Sequence, residues 1–223
     1  MRTSRSPEKE GKQDTEAVRA YNRTCTWLPF RLLRYFILRD LAKYHPHGKL
    51  IDVGCGTGHL VISIKKKFPG LDVRGLDINR DMIDTARHNS EKVFPGGNYF
   101  DLGDVHSLPY EDGFFDIIVS SLSLHHWDDA AKALSEIRRV LAPGGKLLLV
   151  DIRRDCPWWF FYGFVLFQTL IAPADIKRTN GAIGSIYAGY TPGELAALLN
   201  SASFKDVITK SNPGWMTAFA QKG

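Results

Sequence analysis

The sequence predicts an α/β fold, a doubly wound and mostly parallel sheet with helices on both faces. Three observations predict it. A short apolar run, Leu50, Ile51 and Val53, ends in glycines on alternate positions, Gly54, Gly56 and Gly58, and a helical pattern follows on Leu60, Val61, Ile64 and Phe68. An acid, Asp77, closes the next strand-like segment about twenty residues beyond that turn. Strand-like and helix-like segments then alternate through short loops.

The glycine turn has a physical purpose. Without Cβ atoms it can take positive φ, and a ligand can lie directly on its backbone. The helix that follows offers its first N–H groups to a polar ligand. Asp77 stands where a carboxylate can chelate the two hydroxyls of a ribose. The pattern is Asp-x-Gly-x-Gly-x-Gly, and Asp52 at the strand end would sit badly beside a pyrophosphate. It suits a cationic ligand such as the amino group and sulfonium of S-adenosylmethionine. A nicotinamide oxidoreductase is therefore disfavoured.

Five blocks now stand in order: Ile51-Asp52-Val53-Gly54-Cys55-Gly56-Thr57-Gly58, Gly75-Leu76-Asp77-Ile78, Gly103-Asp104-Val105, Phe115-Asp116-Ile117-Ile118-Val119 and Leu141-Ala142-Pro143-Gly144-Gly145. Together they resemble the class I S-adenosylmethionine-dependent methyltransferases, and within them the small-molecule branch that includes quinone-ring methylases. The match runs from Gly48 to Asp151. The resemblance implies a Rossmann-like seven-stranded sheet whose last strand is antiparallel, with a helical lid. It implies S-adenosylmethionine as cofactor: the methionine portion on Asp52, Gly54, Cys55, Gly56 and Gly58, the ribose on Asp77 beside Ile78, and the adenine on Asp104 and the Val105 N–H. Ser120 and Ser121 close this set at the end of the fourth strand, and Leu108-Pro109-Tyr110 are expected in the adenine wall.

The chain has 223 residues, 44% hydrophobic and 24% charged, enough for one domain with a sizeable core. A formal charge of +5 without a clustered patch gives no reason to expect a nucleic-acid partner. Three cysteines, Cys25, Cys55 and Cys156, show no pairing pattern and no metal-ligand spacing, so neither a disulfide framework nor a metal site is expected. This fits a reducing, cytoplasmic setting. Residues 1–15 are polar and lack the apolar core of a signal peptide, and they read as a disordered tail. The rest, 16–223, reads as one domain, with cover helices over 16–47. These are Ala17–Thr24, carrying Tyr21, and Phe30–Tyr44, striped by Leu33, Phe36, Ile37 and Leu41. By family analogy Tyr21 faces the acceptor pocket; the plain alternative is a helix that only packs on the sheet.

Further elements follow in turn. A helix is expected over Asp81–Lys92, a strand near Asn98–Leu102, a strand over Phe115–Ser120, a helix over Asp129–Leu141 and a strand over Lys146–Asp151. Pro143-Gly144-Gly145 stops the helix and leads into that strand. Ligands in such sheets bind beyond the carboxyl ends of the strands, so the acceptor should meet the loop Ser120–Asp128. His125 and His126 lie there with two readings open: a catalytic base, or an architectural pair beside Trp127. Asp128 and Asp129 read as caps for the next helix.

Residues 153–190 read as a lid insertion. Its aromatic run, from Trp158 to Ile171, has an apolar core of about fifteen residues, too short to span a bilayer. It can line a hydrophobic pocket, with Trp158 touching the acceptor. It can make a peripheral membrane contact through 157–172, or it can serve as a core or subunit contact. Residues 175–190 read as a loop whose Tyr187 and Tyr190 reach the acceptor or pack the lid. Thr191, Pro192 and Glu194 spell a capping box for a helix to Asn200. A strand near Lys205–Thr209 and one over Trp215–Ala220 complete the sheet, the last inserted beside strand five in the resembled family. The implied activity is methyl transfer to a small hydrophobic or aromatic acceptor. The alternative is a catalytically silent module that binds the cofactor, or its demethylated product, for a partner. A protein or nucleic-acid methylase lacks support, because Ser-Ser-Leu-Ser stands where an Asn/Asp-Pro-Pro-Tyr stretch would.

Overall fold

A computed structural model describes residue 5 and residues 15–170 and 181–223. Helices α1 (Thr15–Thr24) and α2 (Leu28–Ala42) precede β1 (Lys49–Val53). Then come α3 (His59–Lys67), β2 (Asp72–Asp77), α4 (Arg80–Glu91), β3 (Phe100–Leu102), β4 (Phe115–Ser121), a 3-10 turn (Leu124–His126), α5 (Ala130–Val140) and β5 (Leu141–Ile152). The chain continues through α6 (Trp158–Leu170), α7 (Gly181–Ala188), α8 (Pro192–Ser201), β6 (Phe204–Ser211) and β7 (Trp215–Lys222). The strand order is β3-β2-β1-β4-β5-β7-β6. The first five strands are parallel, and β7 runs antiparallel to both β5 and β6. The order reverses between β1 and β4, which opens a crevice at their carboxyl ends.

The period-two alternation of each strand divides the core between the two faces. Leu50, Ile117, Val119, Leu148 and Val150 face α2, α3 and α4, where they meet Leu41, Ile64 and Ile83. Ile51, Val53, Ile118, Leu147 and Leu149 face α5 and α8, where they meet Leu134, Ile137 and Leu195. Each such side chain, taken fully out of water, contributes about 1.5–3 kcal/mol. That burial on both faces is why β1 and β4 read as near-continuous apolar runs.

Helix starts follow their caps. Asn79 Oδ1 accepts from the N–H groups of Asp81 and Met82, at 2.9 and 3.2 Å, to open α4. Asp129 Oδ1 accepts from Lys132 N–H at 2.9 Å to open α5. Asp129 rather than Asp128 is the cap. Thr191 and Glu194 form the full capping box of α8, and the buried Arg154 guanidinium bonds both Glu194 oxygens and Gly189 O.

Two elements differ from the sequence expectation. Gly181–Ala188 is helical where a loop was expected. Burial of Ser185, Ile186 and Ala188 outweighs the poor helix propensity of Gly181 and Gly184. The Leu141–Gly145 segment joins β5 instead of standing apart as a turn, and the pairing with β4 shifts register between Phe115 and Ile117. The tail expected over 1–15 lies outside the described residues except for Arg5 and Thr15. Residues 171–180 of the lid insertion also lie outside them.

Thr191→Ala removes one half of the capping box and should lower stability by about 1 kcal/mol in urea unfolding, with the m-value unchanged. Gly58→Ala should be worse. Its φ is +79°, and a Cβ there would lie 2.6 Å from Phe100 Cζ and 2.9 Å from Ala86 Cβ.

Candidate functional site

The crevice is a cleft lined by Gly54, Leu76, Asp77, Ile78, Gly103, Asp104, Val105, His106, Ser123, His126, Trp127 and Asp128. Of the residues expected from sequence, Gly54, Asp77, Ile78, Asp104, Val105 and His126 line it. Cys55, Gly56 and Gly58 belong to the same turn without lining the cleft, Asp52 lies in β1 just before it, and Ser120, Ser121 and His125 are also outside the lining.

The glycine turn is tied to β2. Leu76 O accepts from the Gly54 and Cys55 N–H groups at 2.8 and 3.0 Å. Gly56 N–H donates to Asp77 Oδ2 at 2.8 Å, and Asn79 N–H donates to Asp77 Oδ1 at 2.9 Å. Gly54 has φ +74°, and a Cβ on it would overlap Ser123 Oγ. The Cys55 side chain turns inward against Gly75, so this residue offers the cleft only its backbone. Burial pushes its thiol well above the usual range, and Asp77 and Asp52 add to that.

Asp52 is 1% exposed, and its Oδ1 finds no hydrogen-bond partner among the described residues. Burial raises its pKa well above the carboxylate range, and the nearby Asp77 raises it further. Burial raises Asp77 as well, against the lowering effect of N–H bonds from Asn79, Gly56 and Ile78. Two buried acids with an orphaned oxygen call for a positive charge. The backbone of Gly56 lies under the Tyr21 ring, whose Cε1 would be 3.3 Å from a Cβ at that position. Tyr21 therefore stands over the turn. It is held there because its neighbour Asn22 accepts a hydrogen bond from Asn89 at 2.8 Å and pairs with His59 Nε2 at 2.9 Å. Cys25 first, then burial, Asp77 and Asp52, push the Tyr21 hydroxyl well above the usual phenol range.

Asp104 sits at the other end of the cleft. Its Oδ1 accepts from His106 N–H at 2.9 Å and meets His106 Nδ1 at 2.7 Å. Asp129 N–H approaches His106 Nε2 at 3.4 Å, which makes Nε2 the acceptor and Nδ1 the donor. Burial opposes ionisation of Asp104, but the His106 bonds prevail and its pKa is lowered. The side chain stays 44% exposed, open to a ligand amino group. The apolar wall beside it is Leu76, Ile78 and Val105. The expected Tyr110 is turned away: its hydroxyl donates to Asp101 Oδ2 at 2.8 Å, and its ring packs on Phe114 and Phe115. Leu108 and Pro109 are likewise absent from the lining.

The opposite wall comes from the loop after β4. Leu122 has a positive φ of 54°, and its N–H donates to Val150 O at 2.8 Å. This kink leaves Ser120 buried in the sheet and Ser121 paired with Val150, while Ser123 reaches the cleft. Ser123 Oγ accepts from Trp127 Nε1 at 3.0 Å. The two histidines separate by role. His125 is 2% exposed; its Nδ1 is 2.7 Å from Asp151 Oδ1, and its backbone N–H donates to Asp151 Oδ2 at 2.9 Å. His126 lines the cleft, with its ring centroid 4.0 Å from that of His125. Burial first, then His125, lowers its pKa to about 4, so it is neutral at physiological pH.

The lid residues do not converge on the cleft. Trp158 is exposed, Tyr187 packs on Phe161 at 6.0 Å between ring centroids, and Tyr190 is buried. The Arg5 guanidinium lies 4.3 Å over the Tyr190 ring and donates to Ala188 O and His125 O. Sequence reasoning did not assign Ser123, Trp127, His106, Leu76, Gly103 or Asp128 to the lining. The loop itself was visible; the kink at Leu122 that selects Ser123 over Ser120 and Ser121 left no signal.

Known proteins resemble this chain in the same terms. The family described as "Methyltransferase domain" matches residues 51–149. The ubiquinone/menaquinone biosynthesis C-methyltransferase UbiE of Desulfotalea psychrophila is 31% identical over 172 residues, which cover 73% of this chain and 68% of that protein. The demethylmenaquinone methyltransferase of Thermus thermophilus is 34% identical over 172 residues, 74% of this chain and 78% of that one. The crystal structure of a SAM-dependent methyltransferase from Aquifex aeolicus shares the fold, with a TM-score of 0.67 at 16% identity over 94% of this chain and 99% of that chain.

Asp52→Asn tests the charge argument. With its folded pKa raised, Asp52 contributes stability below the unfolded pKa and loses it as pH rises through the folded one. The ligand-free Asp52→Asn variant should therefore exceed the wild type by about 1–3 kcal/mol at neutral pH. The gap should close as pH falls through the carboxyl's titration, as read by urea unfolding across pH.

Proposed function

The chain belongs to the class I S-adenosylmethionine-dependent methyltransferases, and from that premise we propose that it methylates a small, hydrophobic aromatic acceptor of quinol type at the His126 wall of the cleft. One observation carries the reading. A buried acid pair suited to a cation stands on one side, and a neutral histidine, backed by a second histidine on Asp151, stands on the other.

Several residues fit the cofactor. Asp77 would take the ribose hydroxyls while its backbone bonds keep it aimed. Asp52 and the Gly54–Gly58 turn would hold the methionine portion, with Tyr21 closing over Gly56. Asp104 would accept the adenine amino group, and Val105 would meet the ring. When bound, S-adenosylmethionine supplies an activated methyl on a cationic sulfur. This chain's residues align the acceptor and exclude water, an effect worth up to roughly 7–11 kcal/mol. His126, neutral at physiological pH, would take the acceptor's hydroxyl proton. His125 donates from Nδ1 to Asp151 and so fixes the ring that backs His126. The acceptor class is supported by the printed names of the relatives, which act on demethylmenaquinone or serve ubiquinone and menaquinone biosynthesis.

Asp77→Ala should weaken cofactor binding about tenfold to a hundredfold in calorimetry; unchanged affinity removes the ribose assignment. His126→Gln should lower kcat about a hundredfold and leave cofactor affinity intact. In the wild type, kcat/KM should fall toward acid with a limb near pH 4, the value to which burial lowers His126. A limb near the ordinary histidine value of about 6.5 would assign the proton to another group.

A further inference from the structure

Two apolar stripes lie exposed at one edge of the molecule. On α6, Trp158, Tyr162 and Leu166 follow at i, i+4 and i+8, with exposures of 68, 65 and 59%. On α2, Leu28, Leu32 and Tyr35 form a similar exposed stripe at i, i+4 and i+7. The two helices meet through β7. Phe36 of α2 stacks on Trp215 at 6.0 Å between centroids, and Phe160 of α6 packs against the adjacent Gly214. Trp215 pairs with Ile152 at the end of β5. Both stripes therefore flank the carboxyl edge of the parallel strands, where the cleft opens.

Charge selects the occupant. Residues Trp158–Leu170 contain no charged side chain. Residues 28–43 carry Arg31, Arg34, Arg39 and Lys43 against a single acid, Asp40; Asp40 is buried and bonded by Lys43 and Arg39, and Arg34 donates to Cys25 O, so Arg31 and the segment's net positive charge make the rim. An aromatic band with a basic rim complements anionic headgroups. In a twofold dimer the same basic rims would face one another. Among the described residues no helix is long and apolar enough to cross a membrane. The 13 residues of α6 span roughly 20 Å, a length that lies in an interface instead of crossing it.

We infer that the α2–α6 face docks on an anionic lipid bilayer, with the aromatic side chains in the headgroup layer and the cleft turned toward the lipid. A lipid-soluble acceptor then enters the site from the membrane. That last clause rests on the acceptor class proposed above; the docking does not.

Sedimentation of the full chain with vesicles tests the docking without cofactor or acceptor, so its outcome is independent of methyl transfer. Binding to phosphatidylcholine vesicles containing about one third phosphatidylglycerol should exceed binding to pure phosphatidylcholine at least about tenfold, and should fall in high salt. Trp158→Ser/Tyr162→Ser should cut it about tenfold. Arg31→Glu should reduce it several-fold, with circular dichroism unchanged. No binding to anionic vesicles overturns the inference. So does binding that the double variant leaves unchanged, or a dimer in sedimentation velocity that the double variant splits, since the face would then be a subunit contact.

Discussion

Asp52 holds a carboxyl group near the carboxyl end of β1, out of water and close to a second acid, Asp77. In an apolar core this arrangement is unfavourable unless a counter-charge arrives. Much of the site can be read as the accommodation of that fact. Asp77 is aimed and partly satisfied by the Gly56 and Asn79 N–H groups. The turn between the acids is fixed by Leu76 O. On the proposed cofactor placement, a cation beside Asp52 would favour its ionised form, so binding and stability would draw on one interaction. That is the familiar trade between fold stability and function, concentrated here in one side chain.

The opposite wall solves a related problem by other means. Asp151 is as buried as Asp52, yet it accepts from His125 N–H, from Ile152 N–H and pairs with the His125 ring. A fully bonded buried carboxylate rigidifies its surroundings, whereas one with an unpaired oxygen leaves a polar group to be satisfied. The chain has both, at the ends of two strands that flank β4. One fixes the 3-10 turn that presents His126, and the other leaves Oδ1 of Asp52 without a partner among the described residues. The neutral state of His126 follows from this packing, because burial and the adjacent His125 both oppose a positive charge there.

What the sequence disclosed depends on the range of the interaction involved. The alternation of elements and the capping box at Thr191 are local patterns, and each appears in the structure, as does the seven-stranded sheet that the family resemblance implied. The glycine turn and Asp77 were legible because one turn and one βαβ unit define them. The partition between His125 and His126 was not, since Asp151 decides it from 26 residues away. Ser123 was hidden by one left-handed residue, Leu122. Tyr21 was expected to face the acceptor pocket by family analogy; the structure shows it over the glycine turn, with His59 and Asn89 gripping Asn22, a contact no spacing encodes. The helix Gly181–Ala188 was masked by its glycines, and only tertiary burial reveals it.

The insertion after β5 leaves and rejoins the sheet at nearly one point. Arg153 bridges to Tyr190, and Arg154 bonds Gly189 O and Glu194, so the exit from β5 is clamped to the start of α8. The clamp lies directly beyond Asp151, whose carboxylate orients His125. The excursion also returns to the histidine wall, because α7 packs on the 3-10 turn that carries His125 and His126, and Arg5 donates to both Ala188 O and His125 O. The residues proposed for the cofactor stand apart from this segment, on β1, β2 and the loop after β3. The short, apolar, charge-free composition of α6 is then no accident of core packing, because much of its bulk faces outward.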